Sequence, residues 1–352
     1  MNRTNPLRGL HARLVRTLAS GSGLEALADA RPHDRRDSLL TLLTVHDLHT
    51  APLEDLGGSE RLQHHPAVAT LKWRLEATFV ADLEGRDAAA GWWRVPSDPV
   101  GAMRALGRQG LVPDVYRWLA EDASYDDAVA FLALEGGPDG GFDDLVAACQ
   151  IGLEGGPKVE LARNFWDEMG NGSPDRVHTE LHRKLSSALS LPRVDRQDLP
   201  VEALERAALG TLLATNRWLQ PEMVGALGLL ELQAGPRCRK VVAALRRLDA
   251  PEAAFDFYQE HAEVDPRHGK EWVDNAVGPL GRDPRWASGI VRGARWRSLV
   301  NAAFFDAMAR RFVAKPRPVP AGREPAYRRS TMAEANSLVL TSVAPFISRA
   351  KS

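Results

Sequence analysis

The sequence predicts an all-α protein, on three observations. Apolar residues recur at i, i+3 and i+4 over long stretches, the period of one helix face. Ala, Leu, Arg and Glu fill those stretches, all good helix formers, and runs of alternating β-branched residues are absent. Between the stretches stand Pro96 and Pro99, Gly136-Gly137-Pro138, Gly155-Gly156-Pro157, Gly170 to Pro174, Pro221 and Gly235-Pro236, which read as breaks. The pattern amounts to roughly ten helices of ~10–20 residues.

In chain order, VATLKWRLEATFVADLE (68–84) and DDAVAFLALE (126–135) come first, each with a long apolar face. An amphipathic helix then ends at Glu168, and Gly170 and Gly172 break it. Ser173-Pro174 resembles an N-cap with proline at the first position of the next helix. LERAALGTLLATNRWL (204–219), MVGALGLLEL (223–232), CRKVVAALRRL (238–248) and EAAFDFYQEHAEV (252–264) follow. No internal repeat of fixed period is present. KPRPVPAGREPAYRRS (315–330) has no apolar period and reads as a surface linker, with TMAEANSLVLTSVAPFI as a last docking helix. The expected organisation is an N-terminal extension (1–39), one helical domain (40–312) and a basic Pro/Arg-rich tail (313–352).

Composition narrows the function. The 352 residues are 44% hydrophobic and 26% charged, enough to bury a core and too apolar for global disorder. No window approaches ~18 uninterrupted apolar residues, so no membrane-spanning helix is expected. Arginines interrupt the first eighteen residues, unlike a secretory leader. Two cysteines, Cys149 and Cys238, exclude a disulfide scaffold and a cysteine-based metal site, and point to the cytoplasm. They read as packing residues rather than nucleophiles. The net charge of −1 offers no nucleic-acid footprint, although residues 1–38 carry seven Arg against four acids and residues 313–352 seven Lys/Arg against two. GLEGGPK and GGPDGGF lack a phosphate loop's GK[ST] ending, and no G-x-S-x-G elbow occurs.

The chemistry sits in polar residues on otherwise apolar helices. His261, Asp265 and His268 lie at i, i+4 and i+7, within about 60° on one helix face. Two imidazoles and a carboxylate on one stripe suit a divalent metal with N/O ligands. Pro266 between them is expected to kink that helix. The bland alternative is a solvated helix face, given Glu260, Glu263, Arg267 and Lys270 nearby. Asp175 and His178 make a second D-x-x-H unit beside Asp265 and His268. Ferritin-like sites use E-x-x-H on two helices and a glutamate from each of two others. Glu231, inside GALGLLELQAG, and Glu135, ending AVAFLALE, supply such glutamates, and Glu168 ends a further helix. The histidines at 11, 33, 46, 49, 64 and 65 lack a carboxylate at helical spacing and read as solvated. Trp92, Trp93, Trp118, Trp166, Trp218, Trp272, Trp286 and Trp296 read as core residues, with Trp166 and Trp272 near the ligand segments.

With these residues in hand the chain resembles the heme-oxygenase-like di-iron oxidases, also called iron-containing redox enzymes. The resemblance rests on NFWDEMGNG followed by His178-T-E-L, on an apolar helix with Glu231 before Gly-Pro, and on His261-x-x-x-Asp265-x-x-His268. It covers about residues 120–275 well and the N-terminal third loosely. It implies a compact heme-oxygenase-like bundle without heme, two Fe(II) per chain and dioxygen as co-substrate. Carried over by position, Glu135, Glu168 and His178 come from the first half, and Glu231, His261, Asp265 and His268 from the second. Asp175 falls where some members place an extra carboxylate, and Asp143 or Asp144 competes for the place of Glu135.

Family activities include N-oxygenation of amino-acid-derived amines, oxidative decarboxylation of fatty acids, and desaturation or fragmentation of amino acids. An amine or amino-acid-derived metabolite ranks first, as in natural-product biosynthesis, and a fatty-acid-like chain second. A metal-free binding scaffold on the same fold is the alternative. Phe131, Phe165, Leu227, Tyr258 and Trp272, a turn from the ligands, are expected to line the pocket, with Arg163 and Arg295 as cations for a substrate carboxylate. Expected partners are the small-molecule substrate, an external electron donor and a second copy of the chain, and neither nucleic acid nor membrane.

Overall fold

The computed structural model describes residues 9–136 and 141–314. The linker expected at 315–330 and the docking helix after it lie outside the described residues, as do residues 1–8 and 137–140. The described chain is all helical. Fifteen α-helical segments follow one another, and no strand occurs among the described residues.

Helices α1 (Leu10–Ser20) and α2 (Arg35–Thr50) come first, and a single turn, α3 (Leu53–Leu56), precedes the long α4 (Pro66–Ala89). Six shorter helices follow: α5 (Pro99–Arg108), α6 (Asp114–Glu121), α7 (Tyr125–Glu135), α8 (Phe142–Cys149), α9 (Gly155–Glu168) and α10 (His178–Ala188). The rest are α11 (Val201–Thr215), α12 (Gln220–Arg247), α13 (Asp256–Glu271), the short α14 (Gly278–Leu280) and α15 (Pro284–Met308). Their starts carry local signals. Asp34, Asp98, Ser124 and Asp283 each accept a backbone N–H of the first turn, and Pro66, Pro99, Pro221 and Pro284 occupy first-turn positions that need no donor.

Helix α12 is the axis of the molecule and packs most extensively on α13 and α15. It corrects one expectation. Gly235-Pro236 does not end a helix, because α12 runs unbroken through it for 28 residues. Proline removes one intrahelical bond, but tertiary packing on both sides outweighs that loss. Glycines permit this packing. A Cβ on Gly235 would lie 2.9 Å from the Pro266 ring, and one on Gly269 would lie 2.8 Å from Leu232 Cα. Gly225 and Gly293 likewise let the α12 and α15 backbones touch. Helix α13 also continues through Pro266, then widens into a π-helical turn at Trp272–Val277.

The segment before residue 40 is packed into the body of the protein. Leu10, Leu14, Leu18, Leu24 and Leu27 are buried in one apolar cluster with side chains of α2, α4, α11 and α12. A second cluster gathers Tyr116, Phe131, Val241, Tyr258, Phe304 and Phe312.

Two expectations about side chains fail. His46 is fully buried: Nε2 donates to Glu76 of α4 at 2.8 Å, and Nδ1 accepts from Thr211 of α11 at 2.7 Å. Its partners lie 30 and 165 residues away, out of reach of a helical-spacing rule. Trp93, Trp166 and Trp218 are exposed, whereas Trp272 and Trp296 are core. Trp93 and Trp218 sit outside α-helices, where no apolar period fixes which side is buried.

Candidate metal centre

Two triads of ligand-type side chains meet inside the bundle. Glu168, His178 and His261 form the first, and Glu231, Asp265 and His268 the second, with the ligand atoms of each triad within 4.8 Å of one another. His261 and Asp265 are one turn apart on α13, so the triads are neighbours. The stripe of two histidines and an aspartate is therefore divided: His261 serves one triad, Asp265 and His268 the other.

Glu168 and His178 belong to different helices and are brought together by the strap 169–177. Gly170, Asn171 and Gly172 all take left-handed backbone conformations (φ 59°, 54° and 86°). A Cβ on Gly170 would overlap the Arg176 backbone, so only glycine lets the strap fold back on itself there. Ser173 makes no cap hydrogen bond; Pro174 opens a single 3-10 turn, and α10 starts at His178. Opposite, Gly269 seats α13 against the α12 backbone at Leu232 and Glu231, which sets Asp265 and His268 beside Glu231.

The donors are buried and preset. Glu168, His178, Glu231, Asp265 and His268 are at most 5% exposed. The His268 Nε2–H donates to Asp167 Oδ2 at 2.6 Å, which leaves Nδ1 facing Glu231 at 3.7 Å. The His261 Nδ1–H donates to the Phe257 carbonyl at 2.6 Å and leaves Nε2 as a lone-pair donor. Such contacts fix the tautomer of a metal-binding imidazole. His178 Nδ1 lies 2.6 Å from Glu168 Oε2 but is misaligned for a hydrogen bond. Both nitrogens of His178, Nδ1 of His268, and one oxygen each of Glu231 and Asp265 have no hydrogen-bond partner.

Burial drives the site toward neutrality. It pushes the Glu168 carboxyl up to about 7, and desolvation with neighbouring carboxylates raises Glu231 and Asp265. Desolvation and the adjacent His178 lower His261 to about 4. Three carboxylates and three imidazoles in a dry interior, with orphaned atoms turned on one another, lack positive charge. Two divalent cations would supply it. Ligand atoms about 2.0–2.2 Å from a shared ion stand up to ~4.4 Å apart, and within the triads His178 Nδ1 and Glu168 Oε2 lie 2.6 Å apart and His268 Nδ1 and Glu231 Oε2 3.7 Å apart. Carboxylate and imidazole donors without thiolates suit iron or manganese.

The remaining expected ligands lie elsewhere. Glu135, at the end of α7, accepts the phenolic O–H of Tyr116 at 2.7 Å and of Tyr258 at 2.9 Å and joins neither triad. Asp143 of α8, by contrast, acts electrostatically on both Glu168 and His178. Asp175 is exposed on the 3-10 turn, and extended Val177 separates it from His178. That D-x-x-H unit is therefore not on one helix face. Of the expected lining, Tyr258 meets Glu135, Phe131 packs on Tyr116 and Phe312, Leu227 is core, and Phe165 is half-buried. The Trp272 indole donates to the Val224 carbonyl. Arg163 is exposed, and Arg295 pairs with Asp87. Both cysteines are buried and free, and burial pushes the Cys149 thiol up to about 12.

Sequence reasoning missed Asp167, which orients His268, and His182, whose Nε2 is buried without a hydrogen-bond partner one turn beyond His178. Adjacency to Glu168 and i+4 spacing from His178 were the available signals. No helix among the described residues is long and apolar enough to cross a membrane. No curated protein matches the chain. Residues 129–302, which carry both triads, match the family of iron-containing redox enzymes. Over that stretch the chain is similar to the heme-oxygenase-like, iron-containing redox enzymes.

Proposed function

We propose that the protein is a non-heme di-iron oxidase or oxygenase that uses dioxygen to oxidise a small metabolite, an amine or amino-acid-derived compound. The observation that carries this reading is the pair of adjacent, buried triads with orphaned donor atoms. Glu168, His178 and His261 would hold one iron, and Glu231, Asp265 and His268 the other. Iron in such an N/O set, with open positions, supplies the capacity to reduce dioxygen. The chain's own part is to fix the ligands: Asp167 and the Phe257 carbonyl set the imidazoles, and the surrounding core excludes water.

The neighbourhood supports a polar substrate. Glu135, Tyr258 and His182 adjoin the first triad, and the buried, unpartnered Nε2 of His182 would be satisfied by an amine or amino acid and left dry by a hydrocarbon chain. The two free, buried cysteines fit a reducing cytoplasm. Oxygen uptake by the Fe(II)-loaded protein, screened over amino acids, their amines and fatty acids, tests the assignment. Stimulation by an amino-acid-derived compound is expected. Stimulation by fatty acids alone would overturn the substrate class, and an air-inert iron protein would overturn the oxidase reading.

A further inference from the structure

Two of the four tyrosines in the chain, Tyr116 and Tyr258, converge on one carboxylate. Both are buried, at 1% and 2% exposure, and their hydroxyls donate to opposite oxygens of Glu135, at 2.7 Å to Oε1 and 2.9 Å to Oε2. Tyr258 sits on α13 one turn before His261, at the edge of the first triad. Tyr116 stands on the far side of Glu135, packed edge-on against Phe131 and Phe305. Arg206 and Arg237 bear electrostatically on Tyr116 and Glu135. Nothing in the ligand sets uses this unit.

A phenol yields an electron readily only if its proton has somewhere to go, because the oxidised phenol with its proton still on is a very strong acid. In a dry interior that acceptor must be built in. We infer that Tyr258, Glu135 and Tyr116 form a proton-coupled relay that delivers single electrons to the oxidised iron site. This rests on the oxidase reading above, since the oxidant is the iron site after reaction with dioxygen.

The balance is closed. Tyr258 gives one electron to the oxidised iron and its phenolic proton to Glu135 Oε2, and is left as a neutral phenoxyl radical. Tyr116 then gives one electron to that radical. Glu135 returns the Oε2 proton to Tyr258 and takes the Tyr116 proton on Oε1. The net result is iron reduced by one electron, a radical on Tyr116, and one proton on Glu135. The relay fills the oxidising site when no substrate is bound and spares the side chains beside it, Phe257 and His261 first.

The test is electron paramagnetic resonance on Fe(II)-loaded protein mixed with oxygen without substrate and frozen rapidly. An organic radical signal is expected, and it should narrow when the protein is made with side-chain-deuterated tyrosine. Tyr258→Phe and Glu135→Gln should reduce the signal at least ~10-fold while iron content and circular dichroism stay at the wild-type level. After repeated oxygen exposure, Tyr258→Phe should gain one oxygen atom on the 256–271 peptide more than wild type does. Iron oxidised by oxygen with no radical in wild type would overturn the relay but leave the oxidase reading standing. An undiminished signal in a Tyr116→Phe/Tyr258→Phe double variant would overturn it as well. Failure of the iron to oxidise at all defeats the oxidase reading, and the relay with it.

Discussion

At the scale of single residues, the site depends on groups that set the ligands as well as on the ligands. Asp167 holds His268 through a 2.6 Å hydrogen bond and thereby turns Nδ1 toward Glu231. Asp167→Ala should weaken metal binding at the second triad by about 10–100-fold and leave the first nearly unchanged. A competitive Fe(II) or Mn(II) titration against a chelator reads both affinities. A second residue tests the core. His46 is held neutral: burial lowers its pKa, with Lys72 opposing protonation and Glu76 and Asp47 favouring it. Thr211 faces its other nitrogen. A histidine with a depressed folded pKa binds its proton more readily when unfolded, near 6.5. The stability it contributes is present above that value and declines as pH falls below it. His46→Gln should cost about 1–3 kcal/mol at pH 8. The gap to wild type in urea denaturation should shrink by pH 5.5.

At the scale of elements, the strap 169–177 and the α12–α13 contact assemble the triads. Gly170→Ala places a Cβ on the Arg176 backbone at a left-handed φ. It should cost about 1–3 kcal/mol and detach His178 from Glu168. Metal analysis should show the first iron lost and the second retained. Much of this was legible in the sequence. Apolar periods placed α4, α7 and α11 to within a few residues. The WDE stretch and the His261–His268 stripe named four of the six residues now found in the triads, and the D-x-x-H unit at His178 and the apolar helix around Glu231 named the other two. Other features were not legible, for physical reasons. Gly235-Pro236 carries a strong local break signal, but the packing of α12 on α13 and α15 overrides it. Helical phase put Asp175 beside His178, and the extended backbone at Val177 ends that phase. Glu135 looked like a ligand because it is an acid on an apolar helix, whereas two distant tyrosines satisfy it.

At the scale of the whole molecule, one long helix ties the centre together. Helix α12 carries Glu231 and packs on α13, which carries three of the six triad residues. Three carboxylates and three imidazoles buried together strain the structure in their ionised forms, so metal bound there would stabilise the fold. The central claim is that these six residues hold two irons in two separable sites. Anaerobic Fe(II) loading followed by metal analysis, on wild type, His268→Ala and His178→Ala, tests it most directly. The account predicts about two irons per chain in wild type and about one in each variant. No iron in wild type, or two irons retained in both variants, would contradict it.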